Sequence, residues 1–314
     1  MFSVCVVGLG NLGKRYVEGL AKLDLKLKVY LYDIVYDNSV IAKKILNTNK
    51  PDAEIKVFRN PPNNLKLDLV IISSNANGRA KVVADILNSN FTKSIILEKV
   101  LEQSIENIDQ LQFLTRHIDC YVNTPKRLYK GFKEIKNIIT SRDLGIDKIT
   151  VQGFSWGIGC NAIHYFDLFC FIFESNISSV DSTRLGIWSE SKRKGFLEVD
   201  GILSFELKNG IQVSLESHNN NKMRQVINFM SEGECKISVD ETGGEFFCFG
   251  EKSALCARYQ SEITVPLVRE ILLTNTCSLP TIQTSAEHHK YLIQSLLNNW
   301  NTVNRKNEAL IRIT

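Results

Sequence analysis

Over roughly the first 120 residues, short apolar runs alternate with amphipathic segments, a pattern that predicts βαβ units around a parallel sheet. Residues 2–7, 28–32, 54–58, 69–73, 94–97 and 120–122 form the candidate strands. Segments near 12–23, 37–46, 79–88 and 104–117 carry the helical period between them and have crossover lengths. The first half therefore reads as a doubly wound sheet.

The pattern changes after Arg127. A helical stretch at 129–139 is followed by a region, 146–249, that reads mostly at period two: Leu203, Phe205 and Leu207 alternate with Ser204, Glu206 and Lys208. Asn209-Gly210 supplies a tight turn, Ile211, Val213 and Leu215 resume the alternation, and Glu232-Gly233 marks a second turn. Such strands give an open, predominantly antiparallel mixed sheet with one apolar and one polar face, the first needing a covering layer and the second free for a substrate. Two helices interrupt: 160–173, and a C-terminal one opened by the capping box Thr284 to Glu287, with Leu292, Ile293, Leu296, Leu297 and Trp300 on its stripe. The expected class is α/β, with a Rossmann domain at 1–123 and an α+β domain at 124–314 whose C-terminal helix packs back on the first.

A chain of 314 residues supports two such cores, and 44% apolar with 23% charged residues is ordinary globular composition. The net charge of +4 is dispersed, with no basic block to bind nucleic acid. No apolar run reaches membrane-spanning length, and the eight cysteines include no CxxC pair, so reduced thiols, a cytoplasmic location and no membrane partner are expected. No Cys/His set has metal spacing, and the adjacent His288 and His289 diverge on a helix, so no metal is expected.

The strongest chemical signal is "VVGLGNLGKR". Gly8, Gly10 and Gly13 form G-x-G-x-x-G between the first strand and first helix. Gly8 allows the tight turn, Gly10 lets backbone approach a pyrophosphate, and Gly13 lets helix and strand pack closely. The helix start, with Asn11 and Leu12, offers N–H groups to phosphate. Asp33 follows Gly13 by 20 residues, where a carboxylate accepts from a ribose 2′-hydroxyl and repels a 2′-phosphate. The combination points to NAD in preference to NADP.

With these residues in place, the chain resembles the glucose-fructose oxidoreductase, inositol dehydrogenase and rhizopine-catabolism family of NAD(P)-dependent sugar oxidoreductases. The resemblance runs through "DLVIISSNANGRA", where that family has a strand and nucleotide loop (Ser73, Ser74, Asn75), and "IILEKVLEQSIENIDQL", where it has a Glu-Lys-Pro segment (Glu98, Lys99). It continues through "VNTPKRLYKGFKEIK", "GIGCNAIHYFDLF" with the family's site histidine at His164, and "RQVINFMSEGECKISVD". It implies a sugar, sugar-nucleotide or polyol substrate in the cleft between domains, and a homo-oligomer, dimer or tetramer, supported by the second sheet. It also implies that Lys99 acts as general acid/base beside the cofactor, with Glu98 lining the same site.

A Glu-Lys pair ending a strand would otherwise read as a solvated terminus. The resemblance likewise makes His164 a substrate-hydroxyl ligand or a partner of Lys99 in moving the proton, with Asn161 on nearly the same helical face. It makes Asn123 and Arg127 polar contacts to substrate, Arg127 suiting an anionic group. Lys126 reads as part of an exposed connection. The chain departs from the family at Val100, where proline usually follows the lysine, and at Cys160, where an acid usually precedes the histidine by a turn. A non-proline cis bond costs about 2.5–4 kcal/mol, so a trans Lys99–Val100 peptide is expected. The rival readings are a non-catalytic dinucleotide-binding sensor on the same fold, or a reductase of a non-sugar carbonyl or imine.

Overall fold

The computed structural model describes residues 1–219 and 222–314, which divide into two compact units. The first comprises Met1–Glu102, Glu106–Asn123 and Arg258–Ala286, and the second comprises the remaining described residues.

In the first unit, strands β1 (Phe2–Val7), β2 (Leu27–Tyr32), β3 (Glu54–Phe58), β4 (Lys66–Ile72), β5 (Phe91–Glu98) and β6 (Asp119–Asn123) form a parallel sheet in the order β3-β2-β1-β4-β5-β6. Helices α1 (Asn11–Ala21), α2 (Tyr36–Asn49), α3 (Arg79–Ser89) and α4 (Ile105–Leu114) occur in the connections. Both faces of the central strands are covered, which is why Val4, Cys5, Val6, Val70, Ile71, Ile95, Ile96 and Leu97 are fully buried without alternation. The strand order reverses between β1 and β4, so the loops after those strands meet at the carboxyl edge, the place where open α/β sheets bind ligands.

Helix α7 (Gln260–Thr274) belongs to this unit and packs against α1. A Cβ on Gly19 would lie 2.5 Å from Thr264 Cβ, so α1 presents bare backbone there. The following Pro280-Thr281 segment borders β6, with the Val122 N–H donating to Pro280 O at 3.0 Å.

The second unit contains α5 (Lys130–Ser141), α6 (Ile158–Phe173) and an eight-stranded sheet. Its strands are β7 (Lys148–Phe154), β8 (Ile177–Glu190), β9 (Leu197–Leu207), β10 (Gln212–His218), β11 (Val226–Ser231), β12 (Glu234–Asp240), β13 (Glu245–Cys248) and β14 (Glu251–Ala254). Their order is β14-β13-β12-β11-β7-β10-β9-β8, antiparallel except for the β7–β10 pair. Here the burial alternates as the sequence does. Phe205 and Phe229 lie under α6, where the Phe166 ring packs tilted against Phe205 with centroids 4.4 Å apart and Phe169 meets Phe229 edge-on at 5.9 Å.

The last helix, α8 (Ile282–Asn304), begins ahead of the expected capping box. Thr281 supplies the cap, its hydroxyl accepting from the Thr284 N–H at 3.3 Å, because Pro280 ends the preceding extended segment one residue earlier. From Glu287 onward α8 belongs to the second unit: Trp300 meets Trp188 of β8 edge-on at 5.4 Å, and the Trp188 indole donates to Asn299 Oδ1 at 2.8 Å. No helix among the described residues is long and apolar enough to cross a membrane.

Candidate active site

The glycine loop and the loop after β4 enclose a cleft of about 470 Å³ lined by Gly8, Gly10, Asp33, Ser73, Ser74 and Asn75 among others. Gly8 has φ +83°, and a Cβ there would lie 2.7 Å from Ser74 N. A Cβ on Gly13 would fall 2.0 Å from Gly8 O, so helix and turn tolerate only hydrogen at that point. Gly10 differs: a Cβ on it meets nothing within 4 Å, leaving backbone exposed at the start of α1, whose first turn has no acidic side chain. The opening N–H groups of a helix, those of Asn11, Leu12 and Gly13 here, have no intrahelical acceptor. Ser73 Oγ donates to Gly8 O at 2.6 Å, and Ser74 Oγ is buried with no hydrogen-bond partner among the described residues. An anion-ready helix start, a bare backbone approach and an orphan hydroxyl together fit a dinucleotide.

Asp33 is buried just beyond β2 and ties this loop together. Oδ2 accepts from the Leu9 N–H at 2.5 Å and Oδ1 from the Val35 N–H at 2.7 Å. Each carboxylate oxygen retains a lone pair, so a ribose hydroxyl can still be accepted.

At the carboxyl end of β5, Glu98 is buried and Lys99 is half-buried. The Tyr16 hydroxyl on α1 donates to Glu98 Oε1, and Asn123 Nδ2, at the end of β6, donates to the same oxygen at 2.7 Å. Asn123 also donates to Gln260 Oε1 at 2.8 Å, which brings the start of α7 into the network. Burial pushes the Glu98 carboxyl up from the usual carboxylate range, while Tyr16, Asn123, Arg79 and Lys99 pull it down. Tyr16 is pushed well above the usual phenol range by burial and by Glu98 beside it. Lys99 thus follows a residue held directly from α1 and β6, with α7 reaching it through Asn123.

The Lys99–Val100 peptide is cis, against the trans bond expected from sequence. Val100 is fully buried, and its carbonyl accepts from the guanidinium of Arg79, a tertiary contact that no local sequence rule contains. Arg79, at the start of α3, and Glu102, whose Oε1 accepts from the Ala80 N–H at 2.7 Å, are buried charges that sequence reasoning missed. The usable signal was their place: each stands next to a nucleotide-loop or Glu-Lys motif where an apolar residue would satisfy packing.

In the second unit, Asn161, His164 and Asp167 lie along α6, with Asn161 and His164 half-buried and Asp167 buried. Asn161 Nδ2 donates to Trp156 O at 2.6 Å. Arg127 is engaged internally: Nε and Nη2 donate to Asp167 Oδ2 and Oδ1 at 2.8 and 2.6 Å. Its fork therefore holds α6 to the turn at Pro125–Leu128. Lys126 departs from the exposed connection expected of it. Its ammonium pairs with Glu241, which also accepts from the Tyr165 hydroxyl, and both partners are largely buried.

A carboxylate does reach the α6 start near Cys160, but from β9. Glu198 accepts from the Gly159 and Cys160 N–H groups, each at 3.0 Å, completing the helix N-terminus.

No protein-family profile matches the chain, and no curated protein matches its sequence. Solved structures match over nearly the whole length. Myo-inositol 2-dehydrogenase from Lactobacillus plantarum is 15% identical with a TM-score of 0.70, covering 100% of this chain and 99% of that one. UDP-N-acetylglucosamine 3-dehydrogenase from Acidithiobacillus ferrooxidans is 14% identical with a TM-score of 0.68, over 94% of this chain and 95% of that one. A super-repressor mutant of Gal80p from Saccharomyces cerevisiae is also 14% identical, with a TM-score of 0.73 over 96% of each chain. At these identities the likeness shows the fold alone, and that fold, a parallel sheet followed by a mixed sheet, is the class expected from the sequence.

Proposed function

We propose that the protein is an oxidoreductase using a nicotinamide dinucleotide, NAD in preference to NADP, on a secondary alcohol or ketone of a sugar, sugar nucleotide or polyol. The observation that carries the reading is the Glu98–Lys99 strand end, held by Tyr16 and Asn123 at the carboxyl edge of a sheet whose glycine loop fits a dinucleotide. Two of the fold neighbours are dehydrogenases, one of a sugar nucleotide and one of a polyol, which agrees with it. Asp33 supports NAD, since a 2′-phosphate would meet its carboxylate.

Gly8, Gly10, Gly13 and the N–H groups of Asn11 and Leu12 bind the pyrophosphate, and Ser73, Ser74 and Asn75 line the pocket beside it. When bound, the dinucleotide supplies the hydride acceptor or donor. Lys99 Nζ takes the proton from the substrate hydroxyl in oxidation and returns it to the carbonyl oxygen in reduction. His164 and Asn161 hold substrate hydroxyls, and Arg127 orients α6 through Asp167.

Calorimetric titration with NAD, combined with turnover of Lys99→Met on a sugar and polyol panel, tests the reading. The variant should bind NAD within about threefold of wild type and lose roughly a hundredfold to ten-thousandfold in kcat. Unchanged turnover would remove Lys99 from the mechanism.

The Gal80p likeness and the departures at Val100 and Cys160 favour one second reading, a dinucleotide-binding regulator without turnover. Tight NAD binding with no absorbance change at the reduced-nicotinamide band, across a broad panel of sugar nucleotides and polyols, would select it.

A further inference from the structure

Beyond Glu98 and Lys99, two further buried charges of the first unit, Arg79 and Glu102, lie where the loop after β4 meets the loop after β5. Arg79 is only 1% exposed. Its Nη1 donates to the carbonyls of Val100 and Leu101, the latter at 2.8 Å, and its Nη2 donates to Ser74 O at 2.5 Å. The return contact is the Ala80 N–H donating to Glu102. Ser74 lines the nucleotide cleft, and Val100 and Leu101 are the two residues that follow Lys99.

A guanidinium holds its donors in one rigid plane, so carbonyls bound by a single arginine are fixed relative to one another. Burying that cation is costly unless acceptors and carboxylates surround it, and Glu98 and Glu102 both act on it. An apolar side chain would fill the space without that cost, but it could not link two loops.

We propose that Arg79 is a positioning residue that locks the Lys99 loop to the nucleotide loop, so that filling the pocket at Ser74 fixes the main chain carrying Lys99. The proposal rests on the dinucleotide reading above and adds to it the residue that joins cofactor occupancy to the aim of the proton-transfer group.

Hydrogen exchange read by mass spectrometry, with ADP-ribose as the probe, tests this without turnover and without a nicotinamide ring that could cover Lys99 directly. In the full-length wild type, ADP-ribose should slow exchange at residues 73–78 and, by about fivefold or more, at 100–102. Arg79→Lys keeps the charge but loses the planar fork. It should retain protection at 73–78 and lose it at 100–102. With a substrate in hand, the same variant should lose about tenfold or more in kcat while KM for the dinucleotide moves less than about threefold.

Wild-type protection confined to 73–78, or an Arg79→Lys variant that protects both segments, overturns the coupling alone. Absence of protection at 73–78 in the wild type overturns the dinucleotide reading and the coupling with it. The wild-type result stands without any variant. Arg79→Gln, checked for folding by circular dichroism, replaces the lysine variant if that fails to fold, with the same loss expected at 100–102.

Discussion

A carboxylate taken out of water is costly unless its lone pairs are occupied, and Glu98 has the Tyr16 hydroxyl and the Asn123 amide on one oxygen. Tyr16→Phe keeps the ring and removes the donor, so it should cost about 1–3 kcal/mol in urea unfolding of the first unit. The sign with pH follows from the raised Glu98 carboxyl. An acid whose folded pKa lies above its unfolded value destabilises the fold increasingly as pH rises between the two. Loss of a donor to the charged form extends that interval, so the Tyr16→Phe deficit should be larger near pH 8 than near pH 5. An equal deficit at both pH values would mean that the hydroxyl does not act on ionised Glu98. Gly8, Gly10, Gly13 and the Glu98–Lys99 pair were readable because each lies in a short local motif. Their partners were not: Tyr16 meets Glu98 across 82 positions, and Lys126 meets Glu241 across 115. Two adjacent basic residues look alike on a solvated linker and in a pair of buried ion pairs.

Among the elements, α7 escaped the sequence reading. Ile263, Leu267, Val268, Ile271 and Leu272 have helical spacing and are buried, but Pro266 inside the run removes a donor and reads as a breaker. Its place in the second turn, with Glu262 accepting from the Tyr259 N–H at 2.9 Å, leaves most of the helical ladder intact. Where α7 crosses α1, the fit depends on Gly19. Alanine there gains about 1 kcal/mol of helix propensity, yet its Cβ would sit 2.5 Å from Thr264 Cβ and 2.8 Å from Ser261 O. Overpacking should prevail, and Gly19→Ala is expected to lower stability by about 1–3 kcal/mol in thermal or urea unfolding. Thr264→Ser keeps the Cβ but removes the Cγ2 methyl, which the new alanine Cβ would meet at 2.8 Å, and should recover a small part of that loss. A Gly19→Ala variant as stable as wild type would show that the helices can separate without cost.

For the molecule as a whole, hydrophobic period separated the two sheets: continuous apolar runs gave the buried parallel sheet and strict alternation gave the one with a polar face. Strand order within the second sheet was not readable, because β7 pairs in parallel with β10 across more than 60 positions and nothing in either strand names the other. The same long-range packing sets how stability responds to acid. His288 is 2% exposed on α8, with Nδ1 4.0 Å from Asp167, and burial, then Arg127, bring its pKa down to about 4. A base depressed in the folded state binds its proton first in the unfolded chain, so its contribution is complete above about pH 6.5 and lost as pH falls toward about 4. The full interval is on the order of 3 kcal/mol. Asp167 and Arg127 face His288, and their bidentate pair keeps the site from offering the imidazolium an unshared carboxylate. His288→Leu, of similar volume and without a titrating group, should therefore melt with a shallower dependence on pH between about 6.5 and about 4.5 than wild type, the two curves converging in slope above pH 7. Parallel curves throughout that acid range would show that His288 charges within the folded unit, and the cost of acid would have to arise elsewhere.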